Sequence, residues 1–182
     1  MVIKKFNFKN ISSTNDKAIN IIKKTNNKFG LVVSENQKKG RGQYGKKWIS
    51  IKGNIFMSIF FSLDEIDMSI KELTKTNCFL VKKILSKYTR KKITIKYPND
   101  LLINKKKICG ILQEILNKSN TKFIIVGIGI NLTKSPKIKG YPTTNFLEVT
   151  NSRIKKESVI TDLIKIYQKF LNSFINLNKL KI

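Results

Sequence analysis

Between Ile93 and Ile130 four β-rich runs follow one another with little between them but turns. Ile93–Lys96 stops at Pro98, which has no amide hydrogen to give to a ladder. Residues 101–103 and 108–116 are joined by the turn Asn104-Lys105-Lys106, and residues 123–130 close the series. Links this short leave no space for a crossover helix, so the runs return as hairpins. Residues 2–8, 29–34 and 54–61 also read as strands. Three helices are expected among them. The first starts at Ser13-Thr14-Asn15-Asp16, where Ser13 and Asp16 fit a capping box, and its apolar side is Ala18, Ile19, Ile21 and Ile22. The second covers residues 69–88, with Ile70, Leu73, Leu80, Val81, Ile84 and Leu85 at helical spacing. The third covers residues 156–175, with a stripe through Val159, Ile160, Leu163, Ile166, Tyr167, Phe170, Leu171 and Phe174. Residues 134–144, with Pro136, Gly140 and Pro142, read as irregular. The expected class is α/β of the α+β kind: a mixed, largely antiparallel sheet with helices packed on it.

A chain of 182 residues has the size of one domain, and 41% hydrophobic residues supply a core. No apolar run approaches the roughly 20 residues that span a bilayer, and the N-terminus has no secretory apolar region, so the expected compartment is the cytoplasm. Cys78 and Cys109 form neither a disulfide framework nor a zinc-ligand spacing. The sequence has no histidine, which removes histidine-based nucleophilic triads and histidine-ligated metals. A metal here would be a hard cation such as magnesium, held by phosphates and a carboxylate. The net charge of +26 resembles a nucleic-acid signal. Yet only three of the 37 basic residues are arginine, the residue suited to bidentate base and phosphate recognition. The lysines are also scattered, so a solvated basic surface is expected and no specific nucleic acid.

Two loops carry the candidate chemistry. In the first, Gly40, Gly42 and Gly45 surround Arg41, with Lys46, Lys47 and Trp48 following. Glycines let backbone N–H groups crowd an anion, an arginine can fork onto a carboxylate or phosphate, and Trp48 can close over a flat ring. By itself the segment is equally a surface loop with turn glycines. In the second, Lys96-Tyr97-Pro98-Asn99-Asp100 sets polar groups at a strand end, and a hairpin would return Lys107 towards Asp100. Read locally, it is also an Asx-type turn. Gly127 and Gly129 inside a strand suggest that a ligand or another backbone approaches closely.

Together these residues resemble biotin protein ligases. Gly40-Arg41-Gly42-x-x-Gly45-x-x-Trp48 resembles that family's biotin-binding loop, and Lys96-Tyr97-Pro98-Asn99-Asp100-Leu101 its Lys-Trp-Pro-Asn-Asp-Leu motif. Lys107-Ile108-Cys109-Gly110-Ile111-Leu112 is similar to its Lys-x-x-Gly-Ile-Leu, and Gly127-Ile128-Gly129-Ile130-Asn131 to its Gly-x-Gly-Ile-Asn. Ser13-Thr14-Asn15 matches its Ser-Thr-Asn. The five matches keep the family's order from residue 13 to residue 131.

The resemblance implies the catalytic fold of biotin and lipoate protein ligases, which is like that of class II aminoacyl-tRNA synthetases. It implies ATP-dependent, AMP-forming ligation of biotin to a lysine of a biotin carboxyl carrier protein, with magnesium accompanying ATP. Lys107, Arg41 and Asp100 are then the catalytic candidates. Ser13, Thr14, Asn15, Gln37, Gly40, Arg41, Gly42, Gln43, Lys107, Gly110, Leu112, Gly127 and Ile128 are expected around biotin. Arg41, Lys46, Trp48, Asn99, Lys107 and Asn131 are expected around the nucleotide. Gln43, Lys46 and Tyr97 stand where the family usually has Arg, Arg and Trp. Residues 1–182 are expected to form one catalytic domain, with no N-terminal helix-turn-helix and no C-terminal β-barrel, as a monomer or homodimer. The rival expectations are a lipoate ligase, whose Arg-Arg-x-x-Gly-Gly-Gly segment is missing, a basic nucleic-acid-binding domain, and a decayed ligase that binds biotin without turnover.

Overall fold

The computed structural model describes residues 3–179, with side chains to Phe174. The expected strand start at Val2 lies outside the described residues. Strands β1 (Lys4–Ile11), β2 (Phe29–Gln37), β3 (Ile55–Ser62), β4 (Ile93–Lys96), β5 (Asp100–Ile103), β6 (Lys106–Lys118) and β7 (Thr121–Ile130) form one sheet in the order β1-β2-β3-β7-β6-β5-β4. Only β1 and β2 pair in parallel. Their connection is helix α1 (Thr14–Lys24), as a parallel neighbour requires. Helices α2 (Ile70–Leu85), α3 (Phe146–Thr150) and α4 (Lys156–Lys179) follow. The mixed, largely antiparallel sheet with packed helices is therefore as expected from the sequence.

Side-chain alternation divides the strands between two apolar layers. Leu31, Val33, Ile55, Met57, Ile59 and Phe61 pack with residues of α2 and α4, while Val32, Phe60 and Ile125 pack with Ala18 and Ile22 of α1. The α4 stripe is borne out, with Val159, Leu163 and Tyr167 fully buried. Tyr167 also donates its hydroxyl to Asn77 Oδ1 at 2.8 Å, which satisfies both groups inside the core.

Two local expectations change, and one short helix is added. Ile70 is 44% exposed because it is the first residue of α2, before the helix has settled on the sheet. Ser69 caps that helix and forms a capping box with Glu72. The box expected at Ser13 is only half made: Ser13 Oγ accepts from the Asp16 amide, but the Asp16 carboxylate turns away to Arg41. The short α3 had no sequence signal of its own beyond its Asn145 cap.

Candidate active site

The register of the sheet makes the floor of the site. One row across the strands reads Ser34, Phe56, Gly129, Gly110, Asp100, and the next reads Val32, Ser58, Gly127, Leu112. Paired residues project from the same face, so the three glycines leave a trough. Side chains fill it. A Cβ on Gly129 would lie 2.4 Å from the Trp48 ring, and one on Gly127 would lie 2.4 Å from Asn15 Oδ1. A close approach does occur at these glycines, but it is made by two side chains, an indole and an amide, where a ligand or another backbone was the expectation. Gly129→Ala is expected to push Trp48 off the sheet, with a fall in ligand affinity of about tenfold or more and a shifted tryptophan emission maximum. Fluorescence and calorimetry on the variant check this, and an unchanged spectrum with unchanged affinity contradicts it.

Lys107 reaches this face because β6 is irregular. Leu101 pairs with Cys109, but Leu102 pairs with Lys107, so β6 carries an extra residue at Ile108. Ile108 and Cys109 both lie in the core as a result. Regular alternation from Gly110 would send Lys107 into the helix-covered layer with Cys109 and Ile111; the bulge returns it to the trough. There Lys107 Nζ lies 2.6 Å from Asp100 Oδ1. The rings of Trp48 and Tyr141 flank the ammonium at 5.4 and 5.6 Å from their centroids. Both distances suit a cation over an aromatic face.

Tyr141 donates to Asp100 Oδ2 at 2.6 Å, and Lys96 lies 4.5 Å from its ring centroid. Burial, reinforced by Asp100, raises the Tyr141 pKa well above its usual value, so it remains a donor at neutral pH. Below this cluster Cys78 Sγ contacts the Pro98 carbonyl at 3.3 Å. Burial and then Asp100 push its thiol up to about 11. Burial raises Cys109 as well, so neither sulfur is poised as a nucleophile near neutral pH.

The glycine loop closes the other side. It leaves β2 with Lys38 and Lys39 amides bonded to the carbonyls of Ile11 and Ser12, and returns with the Trp48 amide bonded to Gly40. Arg41 Nη2 reaches both carboxylate oxygens of Glu114, at 2.8 and 2.7 Å, and Nη1 pairs with Asp16. Partial burial opposes this charge, but Glu114 and Asp16 outweigh it and raise the arginine pKa further. Next to the loop, Gln37 Oε1 accepts from the Thr14 amide and hydroxyl at 2.7 and 3.1 Å, and its Nε2 donates to Ser50.

These elements enclose a cavity of about 890 Å³. Its size is that of a ligand pocket for molecules up to a nucleotide with a small acid. Of the site residues expected from the sequence, Ser13, Thr14, Asn15, Gln37, Arg41, Gly42, Gln43, Lys46, Trp48, Asn99, Asp100, Lys107, Gly110, Leu112, Gly127, Ile128 and Asn131 all line it. Gly40 does not. It is buried, a Cβ there would meet the Trp48 carbonyl at 2.7 Å, and it lines instead the neighbouring hollow formed by the loop. Asn131 lines the wall but both ends of its amide are engaged, with Thr144 and Asn54. Asn99 donates to the Ile111 carbonyl. Trp48 Nε1 is buried without a hydrogen-bond partner, packed close over Gly129.

A family model for the biotin/lipoate A/B protein ligases matches residues 7–131, about two thirds of the sequence and every motif that builds this cavity. The chain belongs to that family. It is 33% identical over 102 residues to the bifunctional ligase/repressor BirA of Escherichia coli, covering 55% of this chain and 32% of that one. It is 30% identical over 147 residues to the Bacillus subtilis BirA, covering 76% of this chain and 45% of that one. The chain thus spans less than half the length of these relatives. The biotin protein ligase of Aquifex aeolicus, solved with biotin and ATP, superposes with a TM-score of 0.79 at 27% identity, over 94% of this chain and 71% of that one.

Tyr141, Glu114 and Asp16 were missed in the sequence. Tyr141 sits beyond the family match, in a segment that reads as irregular. Asp16 was read only as a helix cap. Glu114 did leave a trace, being one of only 11 acidic residues in a chain with 37 basic ones, set inside a strand. Two further facts bound the site's setting. Among the described residues no group of three or more His, Cys, Asp or Glu side chains converges as a metal site. No helix among them is long and apolar enough to cross a membrane.

Proposed function

We propose that this chain activates biotin with ATP and transfers it to a lysine of a biotin carboxyl carrier protein or a related carboxylase domain. The observation that carries the reading is the placement of Lys107. Its ammonium lies in the cavity wall on a carboxylate it can exchange for a ligand anion.

In the first half-reaction an oxygen of the biotin carboxylate attacks the α-phosphorus of ATP. The bond to the β-phosphate oxygen breaks, pyrophosphate leaves, and biotinyl-5′-AMP forms. Bringing two anions together requires fixed cations and N–H donors aimed at the developing charge. Lys107 turns from Asp100 to the carboxylate and α-phosphate, and Lys46 adds charge from the loop. Thr14, Gln37 and the trough over Gly110 and Leu112 suit the ureido ring and the apolar body of biotin. Magnesium, arriving on the nucleotide, would neutralise the phosphates.

In the second half-reaction the acceptor amine attacks the acyl carbon and AMP leaves. Asp100, released by Lys107, takes the proton from the attacking nitrogen. Tyr44, Ile49, Tyr97 and Ile138 are exposed apolar residues around the cavity, interspersed with Lys46, Lys47, Lys96 and Lys139. This apolar and basic rim suits an acidic acceptor domain.

The direct test is transfer of labelled biotin to a purified carrier domain with MgATP. Labelling that depends on ATP supports the proposal; no labelling by folded protein with a competent acceptor overturns it. Gln43 bears on the intermediate. It starts the short turn Gln43–Gly45 beside the cavity and carries no charge where relatives in the resemblance have arginine. Gln43→Arg is expected to slow escape of biotinyl-AMP by about tenfold, the worth of one charge-assisted hydrogen bond. Release followed by chromatography of the free intermediate checks this, and equal rates count against it.

A further inference from the structure

The glycine loop runs between two hollows, the cavity of about 890 Å³ and a second of about 1070 Å³ lined by residues 37–50 with Leu112 and Glu114. Residues 44–47 at its tip are exposed. With open space on both sides, packing alone does not hold the loop in place. The strongest tie on it is Arg41, bound to Asp16 of α1 and to both oxygens of Glu114 on β6.

Glu114 does not end that chain of contacts. Its Oε2 also accepts from Asn15 Nδ2 at 2.6 Å, and Asn15 Oδ1 accepts from Ser58 at 2.5 Å. Asn15 and Ser58 are 3% and 0% exposed. The missing Cβ of Gly127 provides the seat for the Asn15 amide. A continuous polar line therefore runs from the cavity floor on β3, through α1 and β6, to the loop above.

Resting on the biotin-ligase reading, we propose that Glu114 is a positioning residue. It pins the glycine loop through Arg41 and holds Asn15 at the floor, and so sets the residence time of the bound acid. Glu114 does not touch the reacting atoms. Its carboxylate occupies the Arg41 guanidinium, which leaves the loop backbone, Gln43 and Lys46 to meet the ligand.

The test compares wild type with Glu114→Gln, Arg41→Gln and the double variant. Labelled biotin is bound and its release is followed after dilution into unlabelled biotin. Each single variant is expected to release biotin about tenfold faster, as loss of a charge-assisted pair implies, and the double variant no faster than either single. The melting temperature should stay within a few degrees, since all three charged side chains are partly exposed. Asp16→Asn, which leaves Glu114 in place, should have a smaller effect. A readout without ligand runs in parallel: trypsin cleavage within residues 38–47 should accelerate in unliganded Glu114→Gln. Wild-type release rates in Glu114→Gln, or rate increases that multiply in the double variant, overturn the proposal. If wild type binds no biotin, the functional reading fails instead, and unchanged loop cleavage would then defeat the pin on its own.

Discussion

Lys107→Ala is expected to slow formation of biotinyl-AMP by roughly 10²–10³-fold, the scale of losing one preorganised donor to a developing anion. Lys107 is held at 2.6 Å from Asp100 between two aromatic rings, with its side chain only 18% exposed. That setting orients it before any ligand arrives. Its loss also leaves Asp100 with Tyr141 as its hydrogen-bond donor, so some stability is lost along with the rate. Lys107→Arg should recover little, because a planar fork does not replace a point charge between rings about 5.5 Å away. Biotin-dependent release of pyrophosphate measures the step without an acceptor, and thermal melting shows that the variant is folded. Wild-type turnover in Lys107→Ala would remove Lys107 from the chemistry.

The largest effect on stability is expected from Asn54→Ala, at about 3–5 kcal/mol from several unpaired buried groups at about 1–3 kcal/mol each. Asn54 is fully buried just before β3. Its Oδ1 accepts from the amides of Leu132, Thr133 and Lys134 at 3.0, 3.1 and 3.4 Å, and its Nδ2 donates to the Lys134 carbonyl at 2.8 Å. Alanine removes every one of these partners at once, the Leu132 amide in a fully buried place and those of Thr133 and Lys134 in partly buried ones. The loss is a large part of a typical stability of about 5–15 kcal/mol. Urea unfolding measures it, and a change under about 1 kcal/mol would show that the chain finds other partners. Ligand affinity should fall too, since the clasped segment leads to Tyr141 and the cavity wall. By contrast Asn99, prominent in its motif, makes one side-chain bond to a strand carbonyl, so its replacement should cost less.

Much of the cavity was legible in the sequence because its residues sit in short motifs. Thr14, Gln37, Gly110, Leu112 and Gly127 follow from the family resemblance that those motifs carry, and all line one space. Gly40 shows the limit of this: a motif records that a glycine is required, but not whether a ligand or the chain's own carbonyl demands it, and here the Trp48 carbonyl lies where a Cβ would be. Arg41 shows a second limit. Its guanidinium suits a ligand anion or a protein carboxylate equally well, and the choice rests on Glu114, which is 73 residues away.

By itself the sequence determined the sheet, the order of its hairpins, the helical stripes and the family, because alternation, turn residues and motif spacing are properties of neighbouring residues. Only the tertiary structure decided where the chemistry points. Lys107 faces the cavity because Ile108 bulges out of register against β5. Tyr141 comes to Asp100 from a segment without periodicity, 41 residues away. Arg41 is tied down by two carboxylates from α1 and β6. Each outcome depends on which strands and loops meet in space, and a strand pattern of period two carries no record of the partner that shifts it.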